Sequence, residues 1–180
     1  MARITQRLGL TRYEADEFYK KGLAAYEKRS FDEALVNLSD AVDALPNHAE
    51  YYAARGFVFL EDGIEDKAKA DFEQALRLYA YEMLAHYGLG ILAYRRKDWD
   101  EALAHFLNAF RSDQKRPETL YYLALVYHHR GEDANALEVM RQALAALEAS
   151  GDKRKNDAAK WVRTLEKLVS QENSTGKLNA

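Results

Sequence analysis

One stretch decides the fold: Met83–Arg116 reads MLAHYGLGILAYRRKDWDEALAHFLNAFRSDQKR, and its pattern recurs every 34 residues along the chain. Four copies stand in register between Ala15 and Ser150. A fixed period of this length is typical of a stack of small units, each of which completes its core only against its neighbours. Such a stack offers an extended surface, which favours binding over catalysis.

Four series of residues define the register of the repeat. The first holds Gly or Ala, the next two hold Ala throughout, and the fourth is always large and apolar. In order, they are Gly22, Gly56, Gly90 and Ala124; Ala34, Ala68, Ala102 and Ala136; Ala41, Ala75, Ala109 and Ala143; and Leu38, Phe72, Phe106 and Met140. The small residues let two helices approach closely, and the large residue fills the space between them. The units are 15–48, 49–82, 83–116 and 117–150.

Each unit contains two stretches with apolar residues three and four places apart, separated by a short break. In the second unit the stretches span Tyr51–Phe59 and Ala68–Leu76, and the break is Glu61–Gly63. This spacing predicts two helices with one buried stripe each. No run alternates between apolar and polar residues as a strand requires. The sequence therefore predicts an all-α fold.

The repeat resembles that of the tetratricopeptide-repeat family. The third unit carries the residues of the family pattern, with Tyr94 one place late: Leu89, Gly90, Tyr94, Trp99, Ala102, Phe106 and Ala109. The chain departs from the pattern where only Pro46 fills the closing proline place, and where Lys21 and Arg55 replace the usual Leu. The resemblance covers 136 of 180 residues. It implies an α-solenoid of four helix-turn-helix repeats that winds as a right-handed superhelix.

The period stops after Ser150, and a further helix is expected. Gly151 should end the eighth helix and Asp152 should begin a capping helix within 151–171. Terminal repeats expose an apolar face that needs a cover, so Trp161 and Leu165 are expected to pack on the fourth unit. Residues 1–14 are predicted to form an N-terminal extension, and 172–180 a flexible tail.

Composition narrows the class of protein. The chain has no cysteine, and no stretch approaches the length of a membrane span. No secretory signal is visible at the N-terminus. The sequence therefore predicts a cytoplasmic protein without membrane insertion.

Catalytic and metal sites are not predicted. Neighbouring residues His128 and His129 point about 100° apart on a helix and cannot hold one ion together, and the other three histidines lie at different repeat places. The glycines stand singly and form no phosphate loop. We expect neither an enzyme nor a bound cofactor or metal.

Basic side chains cluster at Arg95–Lys97 and Lys153–Lys155, which raises the alternative of nucleic-acid binding. The formal net charge is −3, however, and a duplex binder normally carries a basic footprint. Cations near a helix C-terminus also have a structural explanation, because they complement the helix dipole. No nucleic-acid partner is therefore predicted.

The resemblance implies a concave groove lined by the first helices of successive repeats. The resemblance implies that the fifth, ninth and twelfth residues of each repeat face this groove, and that the second residue lies at its rim. The predicted groove residues are Tyr19, Leu23, Tyr26, Phe57, Leu60, Tyr87, Ile91, Tyr94, Tyr121, Leu125 and His128, with Asp16, Glu50 and Glu118 at the rim. About half of the ninth-place residues are expected to be core instead. We expect Tyr87 and Tyr121 to be partly exposed and to be the main anchors for a partner.

The family's clamp for acidic peptide tails is missing from this sequence. Tyr19, Leu23, Leu84 and Gly88 stand where the clamp has its Lys, Asn and Arg residues. The sequence therefore predicts a non-catalytic module that binds a peptide or helix with apolar anchors in a tyrosine-rich groove with an acidic rim. Two alternatives stay open: a structural protein that binds another copy of itself as a homo-oligomer, and an adaptor subunit of a chaperone or larger assembly.

Overall fold

The computed structural model describes residues 10–176, and this part of the chain forms nine α-helices and no strand. The all-α prediction is therefore confirmed. The helices are α1 Leu10–Glu27, α2 Phe31–Ala44, α3 Ala49–Glu61, α4 Glu65–Leu78, α5 Met83–Arg95, α6 Trp99–Ser112, α7 Pro117–His129, α8 Asp133–Ala149 and α9 Lys155–Gly176.

The chain divides into two compact units, with the boundary after Leu92 inside α5. In the N-terminal unit, α1 packs on α2, α2 on α3, and α3 on α4, while α1 also contacts α3. In the C-terminal unit, α6 packs on α7, α7 on α8, and α8 on α9. From α1 to α4 and from α6 to α9, successive helices are thus neighbours, as the short breaks in the sequence predict.

The recurring glycines bring the two helices of a repeat together in the N-terminal unit. A Cβ atom added to Gly22 would lie 2.6 Å from Leu38 Cγ, and one added to Gly56 would lie 2.8 Å from Phe72 Cε1. Both distances are shorter than real Cβ contacts, so no larger residue fits without movement. The prediction that small residues allow this close approach is confirmed here.

The ring of Phe72 lies between two helices besides its own. Gly56 on α3 contacts one part of the ring, and Gly88 on α5 contacts another, because an added Cβ at Gly88 would lie 2.2 Å from Phe72 Cζ. Phe57 meets the same ring edge to face at 5.3 Å. Phe72 has no exposed surface. The sequence did not predict the contact with Gly88, since Gly88 stands outside the four recurring series.

The last helix contributes to a buried cluster of the C-terminal unit. Ala158, Val162 and Leu165 of α9 are buried against residues of α7 and α8, among them Leu120 and Met140. Trp161 packs against this cluster but is only partly buried. The helix therefore covers the fourth repeat chiefly through its aliphatic side chains.

The turns inside the repeats share a left-handed residue that itself recurs every 34 residues. Arg29, Gly63, Lys97 and Gly131 have φ values of 58°, 79°, 62° and 78°. At each turn the following residue returns a backbone N–H to the preceding helix, as Ser30 does to the carbonyl of Ala25. This conformation costs a residue with a Cβ atom more than it costs glycine, so the first and third turns carry strain.

Arg55, which replaces the usual Leu of the family, forms an ion pair inside the second repeat. Its guanidinium donates to the carboxylate of Asp71 on α4 and lies over the rings of Tyr52 and Phe59. Asp71 is almost fully buried. The pair thus joins α3 to α4 at a place where the family uses apolar contact.

The ends of the folded region differ from the predicted boundaries. Helix α1 begins at Leu10, inside the predicted extension 1–14, and α9 continues to Gly176, inside the predicted tail 172–180. The remaining parts of both predictions, 1–9 and 177–180, lie outside the described residues. Gly151 ends α8 with a φ of 69°, as predicted. The carboxylate of Asp152 accepts the backbone N–H of Arg154 just before α9.

Candidate partner-binding surfaces

In the N-terminal unit, two tyrosines join the predicted acidic rim to neighbouring helices. The Tyr19 hydroxyl donates to Glu50 at 2.7 Å, and the Tyr51 hydroxyl donates to Asp16 at 2.5 Å. The two rings lie 5.0 Å apart. Burial, followed by the bond to Glu50, raises the pKa of Tyr19. The rings and carboxylates of α1 and α3 therefore form one fixed polar edge.

The prediction that Tyr87 is partly exposed is wrong. Tyr87 is only 7% exposed, and its ring stacks on that of Phe57 at 5.7 Å with an interplanar angle of 10°. The reason lies in α5, where residues 85–92 are all buried. A helix that is apolar on every side is buried on every side, so a groove-facing place in this repeat does not make its tyrosine accessible.

The other predicted groove residues of this unit divide into two groups. Tyr19, Leu23, Tyr26 and Phe57 are partly exposed. Leu60 and Ile91 are buried, at 3% and 7% exposed. Among the ninth-place residues of this unit, therefore, Ile91 is buried, whereas Leu23 and Phe57 pack against the core and keep part of their surface exposed.

In the C-terminal unit, Tyr121 lies in an open cleft between α7 and α9. The cleft has a volume of about 230 Å³ and is lined by Tyr121, Asp157, Lys160, Trp161 and Thr164. Tyr121 and Trp161 are both partly exposed. Burial raises the pKa of Tyr121, and a hydrogen bond from Trp161 partly opposes that rise. The cleft combines two aromatic side chains with a polar mouth.

The polar mouth of this cleft carries charges of both signs. Lys160 Nζ lies 2.9 Å from Asp157 Oδ1, one turn earlier on α9. Both side chains are exposed. The cleft therefore offers apolar area in its depth and an ion pair at its edge, a composition common in protein-binding sites.

Two further predicted groove residues of the C-terminal unit make contacts within it. Tyr94 meets Trp99 and Tyr122 edge to face at 5.4 Å each. His128 lies 2.5 Å from Asp133, with Nδ1 facing the Asp133 Oδ1 atom. Leu125 is buried at 7% exposed. In this unit Tyr94, Tyr121 and His128 are therefore partly exposed, and Tyr121 is the one of the three that lines the cleft.

The predicted acidic rim does not extend to Glu118. Its carboxylate lies 2.6 Å from Arg154 and 3.6 Å from Arg116. These two cations neutralise the charge that the sequence assigned to the rim. Sequence position alone could not show the pairing, because Arg154 stands 36 residues further along the chain.

An acidic pocket lies in the N-terminal unit, and sequence analysis missed it. It has a volume of about 280 Å³ between the turn that enters α3 and the turn that enters α5. Its lining residues are Asn47, His48, Ala49, Glu50, Leu78, Tyr79 and Glu82. Burial raises the pKa of Glu82; the Leu84 backbone N–H lowers it, and the negative charge of Glu50 adds to the rise.

The part of the chain that the structure describes contains neither a candidate metal site nor a candidate membrane-spanning helix. No group of three or more His, Cys, Asp or Glu side chains there could hold a metal ion. Among residues 10–176, no helix is long and apolar enough to cross a membrane.

The family is shown by comparison with known sequences. The tetratricopeptide-repeat family model matches residues 19–82, 66–117 and 87–151. These matches cover well over half of the chain, which therefore belongs to the tetratricopeptide-repeat family, as the resemblance implied. The repeats of this family are protein-interaction modules.

Curated relatives share part of the chain. Superkiller complex protein 3 of Mus musculus is 32% identical over 120 residues, which is 64% of this chain and 8% of that protein. The Hsp70-Hsp90 organising protein of Plasmodium falciparum is 29% identical over 124 residues, which is 58% of this chain and 22% of that protein. The chain thus spans less than a quarter of the length of these two relatives.

Solved structures support the fold. The Pseudomonas aeruginosa pilF structure matches with a TM-score of 0.76 at 21% identity, covering 89% of this chain and 71% of that one. The first tetratricopeptide-repeat domain of Spaghetti, bound to the HSP90 peptide SRMEEVD, matches with a TM-score of 0.61 at 17% identity, covering 66% of this chain and 94% of that one. At these identities the likeness shows the fold alone.

Proposed function

We propose that this chain is a non-catalytic adaptor that binds a protein segment with apolar side chains, and that the cleft between α7 and α9 receives one of them. The observation that carries the proposal is the pair of partly exposed aromatic side chains, Tyr121 and Trp161, around a cleft of about 230 Å³. Aromatic side chains at such places supply much of the binding energy in interfaces.

The cleft is shaped in advance for an incoming side chain. Trp161 packs against the core of the C-terminal unit, and Tyr121 contacts Tyr122 at 6.0 Å. Rotamers that are already fixed lose little entropy when a partner binds. The ion pair of Lys160 and Asp157 beside the cleft allows hydrogen bonds to the backbone of the bound segment.

An acidic peptide tail is not the partner that the N-terminal unit favours. The HSP90 peptide bound to the Spaghetti domain contains two Glu and one Asp, whereas the edge of α1 and α3 presents Asp16 and Glu50. Gly88, at one of the clamp places, has no room even for a Cβ atom beside Phe72. The partner is therefore a neutral or basic segment.

A peptide selection tests the proposal even while the natural partner is unidentified. Random peptides displayed on phage are selected on the full chain, and their affinities are measured by calorimetry for the native chain and for Tyr121→Ala. We expect Tyr121→Ala to weaken binding by about 2 kcal/mol, roughly thirtyfold. Tyr13→Ala is the matched control, because Tyr13 is an exposed tyrosine of α1 outside both pockets.

Two results would contradict the proposal that the cleft binds a partner segment. One is equal binding of the selected peptides to the native chain and to Tyr121→Ala. The other is an increase in molecular mass with concentration, measured by light scattering, that Tyr121→Ala abolishes. The second result would assign the cleft to self-association instead of to a different partner.

A further inference from the structure

The acidic pocket of the N-terminal unit adjoins an exposed aromatic pair that the groove does not include. Tyr79 and Tyr81 are 54% and 70% exposed, and their rings meet at 6.0 Å in the turn between α4 and α5. Tyr79 also lines the pocket that contains Glu50 and Glu82. Exposed aromatic side chains that stand together commonly mark an interaction surface.

Two hydrogen bonds hold the turn that carries this aromatic pair. His86 on α5 is buried, and its Nε2 atom lies 3.1 Å from the carbonyl oxygen of Ala80, which stands between the two tyrosines. The backbone N–H of Glu82 also donates to the carbonyl of Tyr79 at 3.0 Å. The rings and the Glu82 carboxylate are therefore presented on a fixed turn.

The charges around the pocket leave it negative. Within residues 10–176, neither Glu50 nor Glu82 takes part in an ion pair, and Glu50 accepts only the neutral hydroxyl of Tyr19. The N-termini of α3 and α5 adjoin the pocket, and each contributes about half a positive charge. The two carboxylates together carry more negative charge than these two partial positive charges supply.

We propose that this pocket binds an arginine side chain of the protein partner, with the guanidinium beside Glu50 and Glu82 and against the ring of Tyr79. The inference rests on the proposed function, since it names a second contact of the same adaptor. A planar guanidinium suits the site better than an ammonium group, because it can bond two carboxylates and also stack on an aromatic face. Its charge complements the pocket.

The test uses nuclear magnetic resonance of the ¹⁵N-labelled full chain with a small probe. Nα-acetyl-arginine amide is titrated against the chain, and Nα-acetyl-citrulline amide, which has nearly the same shape without the charge, is the matched probe. We expect saturable shifts of the amides of Asn47–Glu50 and Tyr79–Glu82 with the arginine probe. The citrulline probe should bind up to about fivefold more weakly, as expected for loss of one partly exposed charge pair.

Variants of the chain connect the shifts to the pocket. Glu82→Gln keeps a hydrogen-bond acceptor before α5 but removes the charge, and should weaken the arginine probe roughly fivefold. Glu61→Gln is the control, because Glu61 is an exposed carboxylate at the far end of α3. Tyr79→Ser leaves both carboxylates in place and should weaken binding through loss of the ring. The amide spectrum of each variant shows that it is folded.

Three outcomes would overturn the inference: equal binding of the two probes, equal weakening by Glu61→Gln and Glu82→Gln, or shifts confined to other parts of the chain. Each of these leaves the proposed function standing, because the peptide selection depends on Tyr121 in the other unit. Conversely, a failure of Tyr121→Ala to weaken peptide binding would leave the arginine titration unaffected.

Discussion

Arg55 binds Asp71 through two parallel hydrogen bonds, from Nε to Oδ2 at 2.7 Å and from Nη2 to Oδ1 at 2.8 Å. The side chains are 18% and 9% exposed. Removal of one partner from such a pair leaves the other charge poorly solvated, which costs more than the pair itself contributes. Replacing only one residue of the pair should therefore destabilise the chain more than replacing both.

We expect Asp71→Ala to lower the free energy of unfolding by about 2–4 kcal/mol, because it leaves the Arg55 guanidinium without its carboxylate. The double variant Arg55→Leu with Asp71→Ala should be more stable than Asp71→Ala alone. Urea denaturation of the native chain, both single variants and the double variant measures the coupling. Additive losses would show that the two residues contribute independently.

Lys97 should be replaceable by glycine with a gain in stability. Its φ of 62° costs a residue with a Cβ atom about 1–2 kcal/mol, and the greater freedom of glycine in the unfolded chain offsets about 0.4–1 kcal/mol of that. We therefore expect Lys97→Gly to stabilise by about 0.5–1 kcal/mol. The matched reverse change in the same unit, Gly131→Lys, should destabilise by a similar amount, as urea denaturation would show.

Arg29→Gly should gain less than Lys97→Gly, although the backbone strain is similar. The Arg29 guanidinium lies 5.3 Å from the centre of the Phe31 ring, a contact that glycine would remove. A larger gain at Arg29 than at Lys97 would contradict this explanation.

Gly88→Ala should destabilise the N-terminal unit by about 1–3 kcal/mol, because its Cβ atom would overlap the Phe72 ring. Phe72→Leu removes part of that ring and should itself be destabilising. The double variant should lose less stability than the sum of the two single losses, because the smaller side chain at position 72 leaves room for the methyl group. Thermal unfolding of the native chain, the two single variants and the double variant measures this coupling. Strictly additive stability losses would mean that residues 72 and 88 do not interact.

In the last helix, Leu165→Ala should cost more than Trp161→Ala. Leu165 has no exposed surface, and its truncation should cost about 2–5 kcal/mol. Trp161 is only partly buried, so its loss should fall below the roughly 3–5 kcal/mol of a fully buried tryptophan. Urea denaturation compares the two. The opposite order would mean that the indole, and not the aliphatic stripe, secures α9.

The stability of the chain should fall as the pH drops through and below the ordinary histidine pKa of 6.5. Burial lowers the pKa of His86 and of His129. In the pH range between each lowered value and 6.5, the unfolded chain binds a proton that the folded chain does not, which favours unfolding. Urea denaturation between about pH 7 and pH 5 should show the slope.

His86→Gln tests whether the buried histidine contributes to this slope. The variant should lose some stability at neutral pH but depend less on pH than the native chain, because His129 alone of the two histidines then contributes to the fall. An unchanged slope would show that His86 titrates alike in the folded and unfolded states.

The repeat and its packing could be predicted from the sequence because both depend on residue size at a fixed period. Gly22 and Gly56 lie against Leu38 and Phe72 as the register requires. Tyr87 shows the limit of this reasoning. Its place in the repeat was predicted, but its exposure depends on the side chains that surround α5, and these differ from one repeat to the next.

Charge could not be assigned from position in the repeat. Glu118 occupies the same place as Glu50, yet Arg154 neutralises it from a segment outside the periodic region. The pocket of Glu50 and Glu82 lies between equivalent turns of adjacent repeats, but the period does not show which charges meet there. Such pairings depend on side-chain contacts that no period encodes.

The position of the Phe72 ring between Gly56 and Gly88 determines which part of the N-terminal unit can fold and unfold cooperatively. Because α5 covers part of the ring, a fragment that ends at Glu82 would hold two complete repeats and still leave one side of Phe72 in water. The smallest cooperative piece of this unit is therefore two repeats and the first helix of the third. Slow hydrogen exchange in α4 would then depend on a helix that belongs, by sequence, to the next repeat.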